Sequence, residues 1–106
     1  MNFKRISVDE AQRIMEDVAA KNPPQSLQIV DIRDDQSYAS GHMAMAIHLQ
    51  NTNLQEFIQN AEFDVPLLVY CYHGHMSQSA AAYLAEQGFT QTYSLDGGYE
   101  AWKNRQ

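Results

Sequence analysis

Cysteine is almost absent from this sequence: Cys71 is the single example among 106 residues. One thiol cannot form an internal disulfide, so the chain must hold its fold by core packing, and the thiol is either buried filler or a reagent. Positive charge is also scarce, with 7 Lys and Arg against 13 Asp and Glu and a net charge of −6. The cations (Lys4, Arg5, Arg13, Lys21, Arg33, Lys103 and Arg105) form no stripe. Nucleic acid and anionic membrane surfaces are therefore excluded as expected partners. No apolar run approaches the roughly 20 residues that a membrane span needs. The opening "MNFKRISVDE" has no apolar core or cleavage-like site, so no secretory signal is read and a cytoplasmic location is expected. Proline is rare at 3 residues, and 2 of them fall together in "KNPPQS", the clearest break in the chain. The length predicts a single domain over 1–106.

What is present alternates. Ser7 followed by Glu10 matches a capping box, and Ala11, Ile14, Met15 and Val18 then fall on one helical face. "LQIVDIR" after the proline break reads as a strand, "DDQSYASGHM" as a short helical or turn segment closed by Gly41, and "AIHL" as a brief strand. Leu54, Phe57 and Ile58 recur at helical spacing in "NLQEFIQNAEF". The run "PLLVYC" is apolar almost throughout, as in a strand covered on both faces. "SQSAAAYLAEQG" predicts a helix with Ser77 as cap and Gly88 as stop, and "QTYSLDGG" and "YEAWKNR" predict a last strand and helix. Strands alternating with helices predict an α/β fold with a parallel sheet and helices on both faces.

Cys71 falls where "PLLVYC" meets the next helix. In open α/β sheets, ligands bind beyond the carboxyl ends of strands. A helix start directs unpaired N–H groups and a positive dipole end into that space. A free thiol has a pKa of about 8.5, and such a position lowers it toward neutrality, making the nucleophilic thiolate abundant. The backbone amides of Tyr72, His73, Gly74, His75, Met76 and Ser77 are the expected anion cradle, and Gly74 supplies the freedom to curl. Against this stands the plain alternative of a small apolar core residue, for which a loop bearing His and Gly would be superfluous. Cys71, His73 and His75 also suggest a metal, but they lie in one tight loop with no evident fourth ligand, so none is expected. Asp31 and Arg33, two apart at a strand end, share a face and predict a supporting ion pair. His42 is expected to be a hydrogen-bonded structural histidine. Asp96, Gly97 and Gly98 predict a tight turn, and Trp102 a core residue.

In this order and spacing, four stretches resemble the single-domain rhodanese family, and within it the bacterial thiosulfate sulfurtransferases. They are "VDIRDDQSYASGHMAMAIHL", "VYCYHGHMS", "AAAYLAEQGF" and "SLDGGYEAW", and they cover nearly the whole chain. The resemblance implies a rhodanese-like α/β fold with a central parallel five-stranded sheet flanked by helices. It also implies that Cys71 takes sulfane sulfur from thiosulfate as a persulfide. An acceptor then removes that sulfur: cyanide, a thiol, or a dithiol such as reduced thioredoxin. No cofactor is implied. The alternative is a persulfide carrier or accessory domain loaded by a partner protein, and a non-catalytic binding module is a third class. Phosphatases and arsenate reductases sharing the fold carry Cys, five residues, then Arg. Here Ser77 occupies that last position, leaving no bidentate partner for a phosphoryl group. His75 and Met76 replace small polar residues, which bears on substrate preference.

Overall fold

A computed structural model describes residues 2–105. Along the chain the elements are β1 (Lys4–Ile6), α1 (Val8–Ala19), β2 (Gln28–Asp31), α2 (Asp35–Ser40), β3 (Ile47–His48), α3 (Leu54–Asn60), β4 (Leu67–Tyr70), α4 (Met76–Glu86), β5 (Thr92–Leu95) and α5 (Gly98–Lys103). The strands form one parallel sheet of five in the order β1-β5-β4-β2-β3. The α/β class and the central five-stranded parallel sheet are as expected.

β4 lies at the centre, and all four of its residues are buried. Its side chains alternate between two cores, as strand geometry requires. Leu68 and Tyr70 join Ile6, Ala11, Val18, Ile29 and Trp102 on the face covered by α1 and α5. Leu67 and Val69 join Val30, Leu49, Ala81 and Leu84 on the face covered by α3 and α4. Fully burying a side chain of this size contributes about 1.5–3 kcal/mol, so the middle strand is the most firmly held element. Its carboxyl end is a stable platform for the loop that follows.

Two features depart from the sequence pattern. The pattern shows four strands, and the fifth is β1, three residues long with Lys4 and Arg5 exposed and Ile6 buried. An edge strand this short and this charged carries almost no periodic signal. The second is Ser77, expected as the cap of α4. The N-cap is His75, with no side-chain cap bond, and Ser77 lies buried in the first turn. By contrast, the capping box of α1 is formed from both sides: Ser7 Oγ accepts from the Glu10 N–H at 3.1 Å, and Glu10 Oε1 accepts from the Ser7 N–H at 3.0 Å.

Ser7→Ala is expected to destabilise the fold by about 1 kcal/mol, the usual cost of losing such a cap. Urea unfolding checks this, through a lower midpoint at unchanged slope.

Candidate active site

Cys71 directly follows β4 and is 2% exposed. Its surroundings are polar on one side: Sγ accepts a hydrogen bond from the Ser77 N–H at 3.2 Å. Burial pushes the Cys71 thiol up, yet hydrogen bonds from the Ser77 hydroxyl and from the amides of Ser77, Gly74 and His73 outweigh it, and the net direction is down. The thiol is thus set against inward-facing N–H groups, with the thiolate favoured.

The loop takes this shape because its carbonyls are held elsewhere. The N–H of Tyr99 donates to Cys71 O at 2.9 Å and that of Glu100 to Tyr72 O at 3.2 Å, both from the start of α5. Gln78 Nε2 donates to Gly74 O at 2.9 Å. In a planar trans peptide the C=O of one residue and the N–H of the next point in opposite directions. Drawing these carbonyls away therefore turns the amides of Tyr72, His73 and His75 the other way. Two glycines make this packing possible. Gly98, at φ +58°, lies so close to the loop that a Cβ there would sit 2.5 Å from the Tyr72 carbonyl. Gly74, at φ +93°, would place a Cβ 2.9 Å from Gly97 N. The turn expected at Asp96, Gly97 and Gly98 is thus what brings α5 under the loop.

A charged scaffold supports the loop from the β2 side. Arg33 grips Asp31 through Nε, at 3.1 Å to each carboxylate oxygen, and through Nη2 at 2.7 Å, and both residues are buried. Arg33 Nη2 also donates to Gly41 O at 2.6 Å. Its guanidinium lies 4.2 Å from the Tyr99 ring centroid, with the Tyr70 and Tyr72 rings at 5.6 and 5.9 Å. Burial first, and then its bond to Asp31, raise the Tyr70 hydroxyl above its ordinary value, so the phenol stays protonated. The expected Asp31–Arg33 ion pair is present. His42 is exposed, bonds Tyr38 O through Nδ1 at 2.8 Å and stacks on the Tyr38 ring, with centroids 3.8 Å apart. These contacts hold it, just past the end of α2, against Tyr38 of that helix and not against the loop.

Sequence reasoning missed a second anchor. Tyr72 donates its hydroxyl to Asp34 at 2.6 Å and accepts from Ser37 Oγ at 3.2 Å, joining the loop to the cap of α2. This Tyr72 bond, then the bonds from Ser37, lower Asp34 to about 2. His48, also overlooked, stacks on the far side of Tyr38 at 4.7 Å. Two open clefts border the loop. One of about 440 Å³ is lined by Arg33, Ser37, Tyr72, His73, Tyr99 and Lys103. The other, of about 580 Å³, is more apolar and includes Leu54, Met76 and Tyr83. Met76 and Tyr72 stand exposed at the rim. Among the described residues no three His, Cys, Asp or Glu side chains are grouped to hold a metal ion.

A thiol at a strand end, set against a backbone amide on an α/β sheet, narrows the class to proteins built around a single cysteine, and comparisons with known proteins give the family. Residues 7–105 match the family model for the rhodanese-like domain. The chain is 52% identical over 101 residues to the thiosulfate sulfurtransferase GlpE of Ectopseudomonas mendocina, covering 95% of this chain and 85% of that protein. It is 50% identical over 102 residues to the thiosulfate sulfurtransferase GlpE of Pseudomonas entomophila, covering 96% and 86%. The crystal structure of a rhodanese-like domain protein from Staphylococcus aureus superposes with a TM-score of 0.74. That match covers 94% of this chain and 91% of the other at 23% identity, and so speaks for the fold. The chain belongs to the rhodanese family.

Two outcomes test the geometry. The iodoacetamide alkylation rate of Cys71 should rise with pH to a midpoint below that of an unperturbed thiol; a midpoint above it would refute the cradle. Asp34 has a depressed folded-state pKa, so the Tyr72 bond is fully favoured above about 3.8 and is lost as pH falls through about 2. Tyr72→Phe should therefore move the Asp34 carboxyl titration, followed by NMR, up toward 3.8.

Proposed function

We propose that this chain, as one catalytic domain over 1–106, moves sulfane sulfur from thiosulfate to a thiophilic acceptor through a persulfide on Cys71. Its membership of the sulfurtransferase enzymes rests on relatives at about 50% identity over nearly the whole chain. The observation that carries the mechanism is the Ser77 N–H donating to Cys71 Sγ at 3.2 Å, inside a loop whose carbonyls are drawn outward.

In the first half-reaction the Cys71 thiolate attacks the outer sulfur of thiosulfate. The S–S bond of the donor breaks, its electron pair leaves with sulfite, and the transferred sulfur remains on Cys71 as an anionic persulfide. On this reading the outer sulfur is received by the backbone amides of residues 72–77, of which Ser77 N–H already donates to Cys71 Sγ. Hydrogen bonds to a charged group contribute about 1.5–3 kcal/mol each, so a few suffice to hold it without a cofactor. In the second half-reaction an acceptor attacks that sulfur and the thiolate is released. Cyanide leaves as thiocyanate, while a thiol or dithiol such as reduced thioredoxin takes the sulfur in exchange at sulfur.

The role of the amides is independent of side-chain identity, so His75 in the loop and Met76 at the start of α4 can keep exposed side chains of either kind. Ser77, six positions after Cys71, offers no guanidinium for a phosphoryl group, which argues against phosphatase chemistry. Among the described residues no helix is long and apolar enough to cross a membrane. A reducing, cytoplasmic setting suits a reactive thiol with no disulfide partner.

Intact-protein mass spectrometry after thiosulfate treatment should show a gain of one sulfur atom, reversed by cyanide and absent in Cys71→Ser. Loading only by a second protein would replace this reading with that of a persulfide carrier.

A further inference from the structure

α4 begins without an ordinary cap. Its N-cap, His75, makes no side-chain cap bond, and the Ser77 hydroxyl lies 2.8 Å from Ser94 Oγ on β5. A capping oxygen would normally fix the first N–H groups of a helix. Here the Ser77 N–H is directed to Cys71 Sγ at 3.2 Å. The turn that presents it is tied by the next residue, Gln78. The Gln78 backbone N–H donates to His75 O at 3.3 Å, and its side-chain Nε2 donates to Gly74 O at 2.9 Å. Among the described residues, Gly74 O has no other hydrogen-bond partner.

Of the three carbonyls drawn away from the loop, those of Cys71 and Tyr72 are held by backbone N–H groups at the start of α5, and only that of Gly74 is held by a side chain. The Gln78–Gly74 bond closes a short turn around His75, Met76 and Ser77. Within it the Ser77 side chain is anchored to Ser94, so the freedom left is the direction of the Ser77 N–H, which the Met76–Ser77 peptide plane sets. At the other end of the turn Gly74, at φ +93°, has no Cβ to limit rotation. The Gly74 carbonyl is therefore where the turn is either fixed or released.

We propose that Gln78 is a positioning residue for the sulfur chemistry: by holding the Gly74 carbonyl it keeps the Ser77 N–H aimed at Cys71 Sγ. This rests on the Cys71 thiolate being the working nucleophile. Side-chain identity then matters at one position beside a cradle built from backbone. Glutamine meets the need because its amide is a donor on a chain long enough to reach back one turn. Any N–H donor of that reach serves, whereas a side chain without one leaves the buried Gly74 carbonyl unpaired.

Two variants separate the donor from the rest of the side chain. Gln78→Met keeps the length and helix propensity and removes the donor, and Gln78→Lys restores a donor on a chain of similar reach. The readouts are the NMR pH titration of the Ser77 amide proton and the pH dependence of Cys71 alkylation by iodoacetamide, with urea unfolding recorded alongside. In the parent the Ser77 amide proton should move downfield as Cys71 ionises, because a bond to a thiolate is stronger than one to a thiol. In Gln78→Met that movement should shrink by about half or more. The thiolate fraction below the midpoint should fall about three- to tenfold, as when one charge-assisted bond is weakened. Gln78→Lys should recover the amide movement. An unchanged amide titration or an unchanged midpoint in Gln78→Met overturns the proposal, even if urea shows a loss of stability, and so does a failure of Gln78→Lys to recover the amide movement. The charged and titratable groups around the loop (His73, His75, Arg33, Asp34, Glu100 and Lys103) are the same in the parent and in Gln78→Met, so none of them accounts for a difference. Because neither readout needs a sulfur donor, a flat result would refute the role of Gln78 and leave sulfur transfer standing, whereas failed thiosulfate loading would leave this test intact.

Discussion

The structure depends on where one short run of peptide carbonyls points. Cys71 O and Tyr72 O are taken by the first amides of α5, and Gly74 O by the Gln78 side chain. Since each peptide unit carries its N–H opposite its C=O, these three bonds orient the amide side of the loop. The loop itself needs no special side chains for this. It needs neighbours that can approach closely, and Gly98 and Gly74 are the positions where any Cβ would prevent that.

The consequence at sulfur is a balance between two opposing effects. Burial alone would hold Cys71 neutral and make it an inert apolar residue. The hydrogen bonds from the loop and from Ser77 reverse the sign. The same burial that opposes the thiolate also strengthens each hydrogen bond to it, because the surroundings screen poorly. A solvent-exposed thiol would lack that gain, and a thiol sealed in hydrocarbon would lack the donors. The net charge of −6 supplies no long-range attraction for an anion, so the N–H groups set against Cys71 are a local source of positive potential in an acidic molecule.

Around this centre, buried polar groups are paired, with no buried side-chain nitrogen or oxygen among the described residues left without a partner. Arg33 illustrates the arrangement: Asp31 neutralises it, Gly41 O accepts from it, and the Tyr99 ring covers it. Removing one partner of such a pair would leave an uncompensated buried charge, which is why the ion pair acts as a rigid wall next to the loop. The Tyr72–Asp34 bond fixes the opposite rim to α2.

Much of this was legible in the chain. The run "LLVYC" marked the buried strand and put Cys71 at its end, "SVDE" marked the capping box, and the paired glycines after Asp96 marked the tight turn. Each is a local pattern in which neighbouring residues carry the information. β1 was not legible, because three residues with two charges show no alternation. Ser77 was misassigned as a cap for a related reason. A serine near a helix start ordinarily turns to the backbone, and here its hydroxyl turns to Ser94 across 17 residues. The Tyr72–Asp34 bond spans 38 residues and has no sequence signature. The sequence by itself therefore determined the order of the elements from α1 onward, the burial of the central strand, the place of the single thiol and the backbone freedom of the loop. Only the tertiary structure decided which way the carbonyls face and which hydroxyls meet behind the sulfur. Those contacts join residues distant in the chain, and hydrogen-bond direction depends on the packed position of both partners, which no local periodicity encodes.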